Sequence, residues 1–106
     1  MFVAMNRFRI ARGSEAAFEK VWADRDSHLE AVPGFRSFHL LKGSQEDDHT
    51  LYATHTVWDD ESAFRAWTQS EAFRLAHRNA GDNRSLYLGP PKMEGFTSVL
   101  GETAGA

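Results

Sequence analysis

At 106 residues, 42% hydrophobic and 25% charged, the chain has the length and balance of one folded domain, too short for two cores and too apolar to be disordered. Its net charge of -3, with Lys and Arg dispersed among acidic neighbours, supplies no basic stripe for a phosphate backbone, which argues against nucleic acid as a partner. The lack of cysteine excludes disulfides, thiolate ligands and thiol nucleophiles, and no apolar run reaches the roughly 18 residues of a membrane span, so a cytoplasmic protein without a membrane partner is expected.

The apolar start Met1 to Met5 runs straight into Asn6-Arg7 and reads as a strand, not a signal peptide. From Phe2 to Ile10 the even positions Phe2, Ala4, Phe8 and Ile10 form one apolar face, interrupted by Asn6. Phe18, Val21, Trp22 and Arg25 follow at helical spacing, predicting a helix from Ser14 to Ser27 with Ser14 as its N-cap. Pro33-Gly34 signals a turn, Phe35 to Lys42 a second strand, Gly43 to His49 a solvated hairpin loop, and Thr50 to Trp58 a third strand paired with the second. Asp59 and Asp60 offer caps for a second helix bearing Phe64 and Trp67, and Ser70 a cap for a continuation that carries Phe73 and His77 on one face. Residues Asn79 to Pro91 read as a long mobile loop, Met93 to Leu100 as the last strand, and 101–106 as a flexible tail to a single domain spanning 1–100.

The order β-α-β-β-α-β specifies an α+β, ferredoxin-like fold, with helices on one face of an antiparallel sheet. Yet apolar groups occupy both strand faces: Val3 and Met5 oppose Phe2 and Phe8, and Leu51 and Val57 oppose Tyr52 and Trp58. A second copy covering the far face, a homodimer built as a dimeric α+β barrel, is the expected arrangement.

Three residues stand out, each with a plain structural reading beside a functional one. Asn6 places an amide in an apolar strand face, where it either bonds neighbouring backbone or serves a ligand between sheet and helices. Trp67 either fills the core or offers a wall to a flat apolar ligand, and His77 either caps a helix end or presents a ring nitrogen to a metal. His28, His39, His49 and His55 have no metal-ligand spacing and read as structural or surface residues.

The segment Thr56-Val57-Trp58-Asp59-Asp60-Glu61-Ser62-Ala63-Phe64-Arg65-Ala66-Trp67, followed by Phe73 and Ala76-His77, resembles the antibiotic-biosynthesis-monooxygenase superfamily. Met5-Asn6-Arg7, Pro33-Gly34-Phe35 and the Trp67 to His77 separation extend the likeness to about residue 80, and Asn6 with Trp67 and His77 resembles its IsdG-type haem-degrading branch. The resemblance implies that His77 is the proximal ligand of haem iron, that Asn6 hydrogen-bonds on the distal side where dioxygen reacts, and that Trp67 presses the porphyrin out of plane. It places Arg25 beside the haem, facing a propionate, although Arg25 also reads as a solvated helix-end cation. Haem is then both cofactor and substrate, opened at a meso carbon to a biliverdin-like tetrapyrrole with release of iron. Without a flavin or nicotinamide fingerprint, the electrons come from a separate reductase or a small donor such as ascorbate. The alternatives are a cofactor-free monooxygenase of an aromatic polyketide-like substrate and a non-catalytic haem carrier.

Overall fold

The computed structural model describes residues 1–25, 28–70, 73, 86–102 and 104. Among them the elements run β1 (Phe2–Ala11), α1 (Glu15–Asp24), a 3-10 turn (Leu29–Ala31), β2 (Phe35–Gln45), β3 (His49–Trp58), α2 (Glu61–Thr68) and β4 (Lys92–Thr97). The four strands form one antiparallel sheet in the order β2-β3-β1-β4. This is the ferredoxin-like α+β arrangement anticipated from the sequence.

The two-residue period decides which side chains the helices cover. Phe2, Ala4, Phe8 and Ile10 of β1 are buried, as are all five even positions of β3 from Thr50 to Trp58. Two aromatic clusters lie on that face. In the first, Phe2, Ala4, Leu29 and Trp58 pack with Phe64 and Trp67 of α2; in the second, Phe8, Ile10 and Tyr52 pack with Phe18 of α1. Thr50 and Tyr52 also tie α1 to the sheet by hydroxyl donation: Thr50 Oγ1 reaches Glu15 at 2.7 Å, and the Tyr52 hydroxyl bonds Glu19. These bonds hold both carboxyls below the ordinary carboxylate range, while burial, reinforced by the Glu19 bond, pushes the Tyr52 phenol upward.

Several boundaries differ from the sequence reading. Ser14 precedes α1 but its side chain makes no capping bond, because its backbone lies outside the extended region that aims an N-cap oxygen at the helix. The Glu15 carboxylate instead accepts from the Gly13 N–H at 2.7 Å. The helix stops at Asp24, where Arg25 turns to extended backbone. Most of the expected solvated hairpin loop is strand: β2 continues to Gln45, an irregularity between Lys42 and Gln45 absorbs the register, and the Glu46 N–H closes the turn on the His49 carbonyl at 2.7 Å. β4 ends at Thr97, three residues before the expected Leu100; Val99 and Leu100 are exposed.

The expected loop from Asn79 to Pro91 is anchored where the structure describes it. Tyr87 bridges Ile10 across the sheet edge, the Leu88 N–H donates to the Arg9 carbonyl at 2.8 Å, and the Tyr87 ring packs against Phe8 and Phe18. Residues 79–85 lie outside the described residues. At the α2 end, Asp60 caps the helix through the Ala63 N–H, as anticipated. Gly34 sits at φ +83° immediately before β2, its carbonyl accepting from the Asp59 N–H, and a Cβ there would meet the Ala63 Cβ at 2.5 Å. The turn therefore lies flat on α2 only because it is glycine.

Candidate active site

Asn6 lies at the seam between the two clusters. On the helix-facing side of β1, Ala4 belongs to the Trp67 cluster and Phe8 to the Tyr52 cluster; Asn6 stands between them, opposite Thr54 of β3 and Met93 of β4. Thr54 is itself buried, so two polar side chains adjoin between the aromatic clusters. The Asn6 Oδ1 is buried and has no hydrogen-bond partner among the described residues, an arrangement that ordinarily costs a fold about 1–3 kcal/mol. Rotating the amide exchanges Oδ1 and Nδ2, so the same position presents an acceptor or a donor to a ligand in the seam.

One wall of the seam is Trp67, buried in α2 and packed on Trp58, Phe64 and Phe73, the last edge-on with centroids 4.8 Å apart. Ser70 fixes the exit from α2: its hydroxyl donates to the Trp67 carbonyl at 2.6 Å and accepts from the Phe73 N–H at 3.1 Å, the capping role expected of it. The other wall is Trp22 of α1, stacked on Phe38 of β2 at 5.7 Å and in contact with Phe8. Two surface grooves flank these walls. One of about 680 Å³ has Trp67, Val32 and Gly34 in its lining, and one of about 390 Å³ has Trp22, Phe38 and Tyr52. Neither includes Asn6; the unsatisfied amide, and not a cavity volume, marks the seam.

Arg25 lies beyond the end of α1 with its guanidinium 4.2 Å above the Trp22 ring and 5.9 Å from Phe38. Burial lowers its pKa, and the one opposing influence is the Tyr87 phenol. It has no carboxylate partner among the described residues. The sequence left Arg25 open between a solvated cation and a ligand contact; the structure shows it half-buried on the Trp22 ring. His77 lies outside the described residues. Thr54 and the Trp22–Phe38 stack escaped the sequence reading, although Thr54 follows from alternation in β3 and Arg25 stands three residues after Trp22, within one helical turn.

The model of the antibiotic biosynthesis monooxygenase family matches residues 1–79. The chain belongs to this family. A relative within it, the staphylobilin-producing heme oxygenase of Staphylococcus haemolyticus, is 33% identical over 82 residues, covering 74% of this chain and 75% of that protein. Among solved structures, the heme-degrader MhuD of Mycobacterium tuberculosis, with two hemes bound in its active site, superposes with a TM-score of 0.74 at 27% identity, covering 97% of this chain and all of that one. The cofactor-independent oxygenase SnoaB of Streptomyces nogalater superposes at 0.67 with 26% identity, covering 94% and 95%. The IsdG-type resemblance drawn from the sequence thus agrees with family members that degrade haem, in a family that also holds an oxygenase without a cofactor. No described helix is long and apolar enough to cross a membrane.

Proposed function

We propose that this protein is a haem-degrading monooxygenase whose substrate occupies the seam over Asn6. The observation that carries the reading is the pairing of an Asn6 Oδ1 without a partner among the described residues with aromatic walls and a half-buried Arg25 that has no carboxylate partner among those residues. A flat, mostly apolar molecule with carboxylate arms and polar chemistry at its centre answers all three features.

In this reading the residues divide the work. His77 would hold the haem iron through a neutral imidazole, and the Asn6 amide would hydrogen-bond the oxygen that reacts and stabilise charge there. Trp67, held by Trp58 and Phe73, presses one porphyrin face and excludes water; Arg25, braced on Trp22, takes a propionate in a charge-assisted hydrogen bond. When bound, haem supplies the iron and oxygen chemistry that opens its own ring at a meso carbon and releases iron and a biliverdin-like tetrapyrrole. Dioxygen is the co-substrate, and electrons enter from a reductase or ascorbate.

The active form is a homodimer that buries the open face of the sheet. Val3, Met5, Leu51 and Val57 lie on that face, with Leu41 and Phe96 largely exposed beside them.

The test is an absorbance titration with hemin, then ascorbate in air with catalase present, on the wild type and His77→Ala. One haem per subunit, loss of the Soret band with a new tetrapyrrole, and abolition by the substitution are the expected results. Haem bound but never opened would replace the enzyme with a carrier. The likeness to SnoaB supports a second reading, a cofactor-free monooxygenase of an aromatic substrate, which the absence of specific hemin binding would bring forward.

A further inference from the structure

The open sheet face carries two histidines among its apolar groups. His39 of β2 and His55 of β3 are direct cross-strand partners, and His55 stands opposite Met5 of β1 on its other side. Directly opposed residues hold their Cβ atoms about 4.5–5.5 Å apart, so the two imidazoles are neighbours. Their same-face surroundings are Val57 and Ala53 along β3 and Ser37 and Leu41 along β2. The charged groups of this face are already engaged or lie further out. Arg7 of β1 bonds Glu94 of β4 at 2.6 Å, Arg9 lies near Asp48, His49 is bonded to Asp48, and Lys92 sits at the outer edge opposite Arg7. No free carboxylate therefore faces the pair from β1, β2, β3 or β4. Among the described residues no third His, Asp or Glu of the same chain joins them as a metal site.

Resting on the homodimer proposed above, we propose that protonation of the His39–His55 pair dissociates the dimer as the pH falls. A two-fold interface presents the same patch from both subunits, so two such pairs enter one sheet-to-sheet layer. Neutral imidazoles pack there. Imidazolium ions repel across the strands and lose hydration with no carboxylate in return. Proton uptake thus accompanies dissociation, and the dissociation constant rises as the pH falls. Repulsion within a pair limits uptake to about one proton per subunit, so the dimer weakens by at most about 100-fold for each pH unit of acidification.

Sedimentation velocity of the full chain over a concentration series at both pH values, with near-ultraviolet circular dichroism on the same samples, tests this. The wild type is expected to dissociate at pH 5.5 with its tertiary signal intact, and His39→Gln/His55→Gln to stay dimeric at both. A wild type monomeric at pH 7.5 overturns the dimer and the switch together; a dimer of constant affinity overturns the switch alone. PH dependence that survives in the double variant, or dissociation that occurs only with loss of the tertiary signal, overturns the assignment to this pair.

Discussion

Replacing Asn6 by leucine separates the two readings of that residue, because they predict opposite signs for stability. If Asn6 were a satisfied core amide, Leu would break a hydrogen bond and leave its partner stranded, lowering stability by about 1–3 kcal/mol. In the structure the Oδ1 is buried with no partner among the described residues, so Leu, which has the same branched shape, removes a desolvation cost and adds apolar contact between Ala4 and Phe8. The expected gain is about 1 kcal/mol, or a rise of roughly 4–8 °C in Tm for a domain of this size. Differential scanning calorimetry of haem-free protein at fixed concentration measures it, the concentration being held because dimerisation contributes to Tm. The same variant is expected to lose hemin turnover with ascorbate. A Tm below that of the wild type would refute the reasoning and return Asn6 to the core.

Gly34→Ala is expected to lower stability by about 2 kcal/mol or more in urea unfolding, since it adds left-handed strain to the Ala63 contact, whereas Gly13→Ala, at φ +92° with nothing within 4 Å, bears the strain alone. Equal losses would remove the contact from the account. The Glu15 and Glu19 carboxyls, lowered chiefly by the Thr50 and Tyr52 hydroxyls, contribute stability that is complete above the ordinary carboxylate value of 4.5 and lost as the pH falls through their folded values. Urea midpoints are therefore expected to fall more steeply below pH 4.5 in the wild type than in Glu15→Gln/Glu19→Gln; parallel curves would count against these bonds. Arg25→Leu is expected to weaken hemin binding on the order of 10- to 100-fold, the range of a charge-assisted hydrogen bond, without weakening binding of hemin dimethyl ester. Equal weakening of both would show that Arg25 acts through packing and not through a carboxylate.

The sheet and both helices were legible because alternation in β1 and β3 and the spacing of Phe64 and Trp67 report burial directly, and burial dominates this fold. Hydrogen bonds were less legible. Ser14 has cap chemistry, but its backbone does not take the cap conformation and Glu15 serves instead. The polar run from Gly43 reads as loop, yet its backbone pairs to Gln45, because an exposed hairpin needs no apolar side chains to continue. Leu86-Tyr87-Leu88 was an apolar signal inside a polar stretch, and its long-range bridge to Ile10 has no local signature. Asn6 was conspicuous as a break in a pattern, whereas Arg25 became informative only when its stack on Trp22 was seen, since desolvation is a property of the neighbours.

Arg25 also bears on which substrate the seam favours. Its lowered pKa means that burial already costs the guanidinium part of its hydration, and stacking on Trp22 returns only about 0.5–2 kcal/mol. A carboxylate-bearing ligand restores the rest through a charge-assisted hydrogen bond, so binding is coupled to relief of a cost present in the free protein. A neutral aromatic offers apolar contact to Trp67, Trp22 and Phe38 but leaves the cation as it was. Both fit the walls; the cation distinguishes them. The walls alone are compatible with either oxygenase chemistry found among the relatives; Arg25, together with the Asn6 amide, favours an anionic tetrapyrrole over a neutral polycycle.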